Sequence, residues 1–214
     1  HTISRRQRQM CIRDSVIPSL ITYSSNAYVE TRDSAMTTGI PGVSGGPVVT
    51  WSIAPALPTG LDIDASTGEI SGTPSVNSPL TTYTVTATNS GGSATTTIDI
   101  TVNDIIPSSI TYTGSPYVET KDSAMSTGTP TYNGGTVLTW SVSPTLPTGL
   151  SIDASTGEIS GTPTVLSTST IYTITATNTG GSATTTIDIT VNDVVPTISY
   201  LSLIHISEPT RRTI

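Results

Sequence analysis

The sequence predicts an all-β chain made of tandem β-sandwich domains, and three observations indicate this. Strand-favouring Thr, Val and Ile are abundant while charged residues make up only 11%, whereas long helices need Glu, Lys and Arg. A block of 89 residues occurs twice, because residues 16–104 align with residues 105–193 without a gap and 64 of the 89 positions are identical. Within each copy, apolar and polar residues alternate as in half-buried strands.

The length of the repeat defines the predicted domain organisation. Residues 16–104 form repeat 1, residues 105–193 form repeat 2, and residues 194–200 restart the pattern as the beginning of a truncated third copy. Most solenoid repeats are shorter than about 50 residues, whereas an immunoglobulin-like domain has roughly 100. We therefore expect each repeat to fold around its own core.

Alternation and turn residues predict about seven strands in each repeat. Asn89–Gly92 has turn chemistry and is expected to close a hairpin. Two packed antiparallel sheets would bury one face of every strand. In repeat 1 the predicted strands lie around residues 20–23, 28–36, 49–53, 61–63, from 70, 83–88 and 97–102.

The residues predicted to face inward form a small core. One strand is expected to turn Val49, Trp51 and Ile53 inward while Thr50 and Ser52 face solvent. The predicted core of repeat 1 is Ile21, Trp51, Ile53, Leu57, Leu61, Ile63, Ile70, Tyr83, Val85, Ala87, Ile98, Ile100 and Val102.

The two ends of the chain share no pattern with the repeats. They hold six of the eight Lys and Arg residues, both His residues and Cys11. Residues 5–15 (RRQRQMCIRDS) resemble a translated transposase-type sequencing adapter, and residues 201–211 (LSLIHISEPTR) resemble its matching partner. We therefore expect residues 1–15 and 201–214 to be adapter-derived and disordered. The alternative is a basic arm that binds nucleic acid or membrane.

The charge of the repeats excludes several classes of function. Residues 16–200 contain two basic residues, Arg32 and Lys121, against thirteen acidic ones, and they have neither Cys nor His. Such an acidic surface repels nucleic acid and anionic lipid, and no apolar stretch is long enough to cross a bilayer. We expect no nucleic-acid partner, no membrane insertion and no thiolate chemistry.

Two long motifs carry a family resemblance. LPTGLDIDASTGEISGTP (57–74) and YTVTATNSGGSATTTIDITV (83–102), with their counterparts at 146–163 and 172–191, resemble the bacterial putative-Ig repeat family, which is related to dystroglycan-type cadherin-like domains. The resemblance implies tandem immunoglobulin-like or cadherin-like β-sandwich domains of multi-repeat secreted or surface proteins. It also implies a spacer, adhesive or ligand-binding role without catalytic residues.

The acidic residues offer little for catalysis. Asp62 and Asp64 share one strand face and could act as a carboxylate pair, but Ser151 replaces the first of them in repeat 2. We expect Asp64 and Asp153 to brace their turns through local hydrogen bonds instead. The chain is therefore expected not to be an enzyme.

The main alternative to repeats without any binding site is repeats that bind calcium. Cadherin-like domains bind calcium at the junctions between repeats, and hard cations prefer clustered oxygen ligands. The sequence departs from the cadherin pattern, since SGTP follows the TGEI turn and the linker has one Asp. We expect no required cofactor, with calcium as the alternative. The candidate calcium ligands are Glu30, Asn103, Asp104, Glu119, Asn192 and Asp193.

The predicted function is that of spacer or adhesion repeats in a secreted or cell-surface protein, whose partners are neighbouring repeats of the same chain. The alternative is an accessory module of a larger extracellular enzyme that binds a carbohydrate or protein ligand. Trp51 and Trp140 are expected in the core, whereas Tyr132, which replaces Val43 of repeat 1, could contact such a ligand.

Overall fold

A computed structural model describes residues 16–198 as an all-β structure. The 18 strands of this region divide into nine for each repeat. No helix within the described residues is long and apolar enough to cross a membrane. The segments predicted to be adapter-derived, 1–15 and 201–214, lie outside the described residues, so that interpretation stays a prediction.

The strands of repeat 1 form three small sheets. Their orders are β2-β9-β8-β5, β3-β7-β6 and β1-β4. The strands are β1 (Pro18–Thr22), β2 (Ala27–Thr31), β3 (Met36–Thr37), β4 (Gly42–Gly45), β5 (Thr50–Ala54), β6 (Leu61–Ile63), β7 (Ile70–Gly72), β8 (Ser78–Asn89) and β9 (Gly92–Asn103).

Repeat 2 has the same topology with the strand numbers advanced by nine. Its sheet orders are β11-β18-β17-β14, β12-β16-β15 and β10-β13. The strands are β10 (Ser108–Thr111), β11 (Tyr117–Thr120), β12 (Met125–Ser126), β13 (Thr131–Asn133), β14 (Thr139–Ser143), β15 (Leu150–Ile152), β16 (Ile159–Gly161), β17 (Ser167–Asn178) and β18 (Gly181–Asn192).

The hairpin of β8 and β9 is the largest element of repeat 1. Asn89 pairs with Gly92 across a two-residue loop, which confirms the predicted hairpin. Along β8, Tyr83, Val85 and Ala87 are buried while the threonines between them are at least partly exposed. The strict alternation of the sequence therefore becomes one core face and one hydroxyl-covered face.

Two features of the strand arrangement differ from the prediction. Each repeat has nine strands instead of about seven, because β3 and β4 and their counterparts are two to four residues long and too short to show alternation. The sheets are also not wholly antiparallel, since β2 runs parallel to β9, with Tyr28 opposite Ile100. Alternation determines which face a side chain takes but carries no information about strand direction.

Each repeat has its own hydrophobic core. The core of repeat 1 runs from Ile21 to Val102 in the chain and that of repeat 2 from Ile110 to Val191. The predicted core residues of repeat 1 are buried or pack against the core. The prediction that Val49 faces inward is wrong, because its side chain is 71% exposed. Residue 49 precedes β5, whose alternation of buried and exposed side chains begins at Thr50.

Candidate functional site

The turn between β6 and β7 contains the most distinctive residues of the sequence. One carboxylate oxygen of Asp64 accepts hydrogen bonds from the Ser66 amide at 2.7 Å, the Ser66 hydroxyl at 2.5 Å and the Thr67 amide at 3.1 Å. These hydrogen bonds, with that of the Ser66 side chain first, lower the pKa of Asp64. The carboxylate is thus committed to closing its own turn.

Asp153 closes the matching turn of repeat 2 in the same way. It accepts from the Ser155 amide at 2.7 Å, the Ser155 hydroxyl at 2.6 Å and the Thr156 amide at 3.1 Å, and its pKa is lowered for the same reasons. Asp62, the other member of the carboxylate pair weighed above, accepts from the Ile63 amide at 2.8 Å. The predicted bracing role of Asp64 and Asp153 is confirmed.

The same turn is held from two other directions. Gly68 has a φ of +78° and lies against the ring of Trp51, so that a Cβ there would be 2.5 Å from Cδ2 of the indole. The Tyr23 hydroxyl donates to the Gly68 carbonyl at 2.7 Å. Burial, and then the neighbouring Tyr28, raises the pKa of Tyr23 to about 12. Sequence reasoning missed this tyrosine, although its repetition at Tyr112 was a signal.

Glu69 and Ile70 tie the turn to β3. The Thr37 hydroxyl donates to Glu69 at 2.5 Å, and the Ile70 amide donates to the hydroxyl of buried Thr38 at 3.0 Å. The glutamate therefore serves a contact between strands. In repeat 2, Ser126 binds Glu158 at 2.6 Å in the equivalent place.

The junction between the repeats contains a buried carboxylate. Asp104 is 4% exposed, and its Oδ1 lies 3.0 Å from Nη2 of Arg32 in repeat 1. The same oxygen accepts from the Ile105 amide at 2.9 Å. The Asp104 amide donates to the hydroxyl of Thr179, in the β17–β18 turn of repeat 2, at 2.9 Å. One residue thus contacts both repeats.

The other calcium candidates of the first junction do not share one face with each other. Glu30 lies opposite Val102 and Thr31 lies opposite Asn103 in the β2–β9 register. Because successive side chains alternate across a strand, Glu30 and Asn103 point to opposite faces of the sheet. The cation that meets Asp104 here is the Arg32 guanidinium.

The candidates at the end of repeat 2 are more open to solvent. Glu119 lies half-buried on β11, whereas Asn192 ends β18 and is exposed. Asp193 is exposed, and its Oδ1 accepts from the Val194 amide at 2.8 Å. No three His, Cys, Asp or Glu side chains within residues 16–198 lie close enough together to hold a metal ion. The calcium site stays a prediction.

The aromatic residues are mostly committed to the core. Trp51 and Trp140 are 5% and 3% exposed, as predicted. Tyr132 on β13 lies edge-on to Trp140 with ring centroids 5.7 Å apart and remains 37% exposed. Tyr132 is thus available at the surface of repeat 2, whereas repeat 1 offers Val43 in its place.

Solved immunoglobulin domains share this architecture. Extracellular domains 3–5 of Drosophila OTK match with a TM-score of 0.51 and 17% identity, over 81% of this chain and 62% of that one. Immunoglobulin domains 1–4 of Sidekick-1 match with a TM-score of 0.50 and 16% identity, over 83% of this chain and 50% of that one. At this identity the likeness shows the fold, and the predicted all-β tandem immunoglobulin-like class is confirmed.

Curated relatives come from Staphylococcus aureus. A serine-rich adhesin for platelets is 37% identical over 132 residues, which are 61% of this chain and 6% of that protein. The form from strain USA300 is 34% identical over 147 residues, or 67% of this chain and 6% of that protein. This chain therefore spans a small part of the length of these relatives.

A family model described as "Putative Ig domain" matches the chain twice. The matched segments are residues 17–103 and 104–192, which cover each repeat almost completely. The chain belongs to this immunoglobulin-like repeat family.

Proposed function

We propose that the two repeats are non-catalytic spacer or adhesion modules of a secreted or cell-surface protein. The observation that carries the proposal is the use made of the signature residues. Asp64 and Glu69 of the motif bind groups of their own repeat, and Trp51 and Tyr23 contact the same turn from outside the motif. Equivalent contacts recur 89 residues later in repeat 2. A sequence motif whose residues stabilise a turn of their own domain supports a structural role for that domain.

The outer faces of the large sheets fit this role. In repeat 2, the adjacent strands β14, β17 and β18 pair in rows of hydroxyl side chains, with Thr139 opposite Thr177 and Thr177 opposite Ser182. These rows, together with the excess of acidic residues, keep the outer faces of the modules hydrated and disfavour association with other copies of the chain. The acidic surface also disfavours nucleic acid as a partner.

The relatives support adhesion as part of the proposal. Their name, serine-rich adhesin for platelets, describes attachment to platelets. Because this chain spans 6% of that protein, we propose only that these modules extend or assist such an attachment. The modules are proposed to act outside the cell and without a required metal ion.

Tyr132 favours a second candidate function, an accessory module that binds carbohydrate for a larger extracellular enzyme. An exposed aromatic ring can stack on the apolar face of a sugar ring, and Tyr132 is such a residue in repeat 2. The hydroxyl of Tyr132 lies 3.5 Å from the Val137 amide, which orients the ring. Repeat 1 lacks an equivalent aromatic residue.

The test immobilises the full chain and its Tyr132→Val variant, which copies Val43 of repeat 1, and offers platelets and a panel of glycans. If the repeats act only as spacers, neither immobilised protein should bind platelets or glycans in a saturable way. Adhesion modules predict equal retention of platelets by both proteins. Carbohydrate binding that is lost in the variant would favour the second candidate, and turnover of a polysaccharide by the chain would contradict the non-catalytic role.

A further inference from the structure

The junction between the repeats has almost no linker. β9 ends at Asn103 and β10 begins at Ser108, so four residues connect the two modules. Freely jointed modules have connecting residues that are exposed and without partners across the junction. Here the first connecting residue, Asp104, is buried and has hydrogen-bonding or ionic partners in both repeats.

Repeat 1 supplies the charge that compensates Asp104. The Arg32 guanidinium lies 3.0 Å from its Oδ1, and the Arg32 amide donates to the Asn103 carbonyl at 2.8 Å. A buried carboxylate is costly unless it is paired and hydrogen-bonded. Because Arg32 follows β2 directly and β2 pairs with β9, the guanidinium is positioned by the sheet itself.

Repeat 2 supplies the surface on which the connecting segment packs. Thr179 accepts from the Asp104 amide at 2.9 Å. The side-chain amide of buried Asn178 fixes the start of repeat 2 itself, since it donates to the Ile105 carbonyl at 2.7 Å just as Asn89 donates to the Val16 carbonyl at 2.6 Å in repeat 1. A Cβ at Gly180 would overlap the Asp104 carbonyl oxygen, and one at Gly135 would overlap its carboxylate. The two glycines allow the turn and the loop to close on the segment.

Asp193 provides an internal comparison, since it is the residue 89 positions after Asp104. Its Oδ1 accepts from the next amide at 2.8 Å, as that of Asp104 does at 2.9 Å, so the local turn is the same. Asp193 is nevertheless exposed, whereas Asp104 is 4% exposed. Asp104 is covered by the docked module and by Arg32, whereas repeat 2 has Lys121, which lies 3.9 Å from Asp122, at the position of Arg32.

We propose that the end of repeat 1 is a docking surface for repeat 2, in which a buried Asp fixes the orientation of the two modules and an arginine takes the place of a metal ion. At the described junction these residues are Asp104 and Arg32, and Thr179 is the receiving group on the next copy. The docking surface goes beyond the proposed function, because it would hold two modules rigidly whether or not they bind a ligand.

The test measures the distance distribution between spin labels on the two repeats of the full chain. Labels are attached at T97C and T186C, which are exposed positions on equivalent outer faces, after Cys11→Ser. The compared variants are D104N, T179V and the matched control D193N. Tryptophan fluorescence, to which Trp51 and Trp140 both contribute, reports a loss of folding in either repeat. T179V keeps the test decisive if D104N does not fold.

We expect one narrow distance in the unsubstituted chain and in D193N. D104N and T179V should broaden the distribution about twofold or more, because unrestrained neighbouring domains move independently. A broad distribution in the unsubstituted chain, or distributions in both D104N and T179V as narrow as in the control, would overturn the docking surface. A distribution in the unsubstituted chain that narrows with calcium and broadens with a chelator would overturn the role given to Arg32.

Discussion

At the scale of single residues, local hydrogen bonds explain the acidic positions of the signature. Asp64 lies two residues before Ser66, and its carboxylate accepts from the Ser66 and Thr67 amides. Short polar side chains at the start of a turn often bond the backbone two residues further on. This role depends only on sequence neighbours, so it could be predicted before the fold was described.

The lowered pKa values of Asp64 and Asp153 lead to a prediction about acid stability. A carboxyl whose pKa is lowered in the folded state stabilises the protein above its unfolded pKa, and this contribution is lost as the pH falls through the folded value. Thermal melts should therefore show a decline below about pH 4 that is shallower in the variant D64A/D153A than in the unsubstituted chain.

The control for this acid-stability prediction is Asp62→Ser, which introduces the residue found at that position in repeat 2. Its melting temperature is compared with that of the unsubstituted chain at each pH, which separates the loss of one exposed carboxylate from the loss of the two turn-closing carboxylates. Melting curves for D64A/D153A that run parallel to those of the unsubstituted chain across the acidic range would contradict the bracing role.

Residues whose partners are distant in sequence could not be predicted. Tyr23 donates to a carbonyl 45 residues away, and Thr37 binds a glutamate 32 residues away. Arg32 and Asp104 lie 72 positions apart and meet because β2 runs beside β9. The sequence therefore predicts Asp104 as a candidate calcium ligand, because it does not show that Arg32 lies beside this carboxylate.

At the scale of elements, the turn from β6 to β7 is a single unit held by Trp51 and Gly68. Gly68 adopts a φ of +78° and has the indole packed against it. Gly39 adopts a similar φ of +68° but has open space where a Cβ would be. Substitutions at these two glycines therefore distinguish the free-energy cost of the backbone conformation from the free-energy cost of a steric clash.

We predict that Gly68→Ala is more destabilising than Gly39→Ala. The left-handed backbone alone costs a non-glycine residue roughly 1–2 kcal/mol, and this should be the whole effect at Gly39. At Gly68 the added methyl must also displace Trp51. Chemical denaturation of both variants measures the two free energies of unfolding, and equal losses would show that the indole does not restrain this turn.

The elements themselves were predictable to different degrees. The β8–β9 hairpin combines long alternation with an Asn-Ser-Gly-Gly turn, so its strands and its partner choice followed from the sequence. β3 has two residues, and its place beside β7 depends on tertiary contacts. The alternation of apolar and polar residues also does not predict strand direction, as the parallel pairing of β2 with β9 shows.

At the scale of the whole molecule, the structure combines independent cores with a fixed junction. The two hydrophobic clusters share no residue, so each repeat can lose its core without removing apolar contacts from the other. The junction contributes polar contacts, chiefly through Asp104. Duplication of a self-sufficient module therefore lengthens the array while the junction determines its shape.

The independence of the cores predicts the behaviour of Trp51→Ala. The chain has two tryptophans, one in each repeat, so this variant leaves Trp140 as a fluorescent reporter of repeat 2 alone. Removing a buried tryptophan costs roughly 3–5 kcal/mol of stability. The free energy of unfolding of repeat 1 should fall by this amount. We expect circular dichroism to show an early transition of repeat 1, while the Trp140 transition moves far less.

The reciprocal variant Trp140→Ala is the matched control, and in it Trp51 should report an almost unchanged repeat 1. Any small shift in the unsubstituted repeat of either variant measures what the junction contributes, because Asp104 and Thr179 connect the repeats without joining their cores. If both tryptophan signals instead moved together by the full amount, the two repeats would unfold as one cooperative unit, and the division into separate cores would not describe the stability of the molecule.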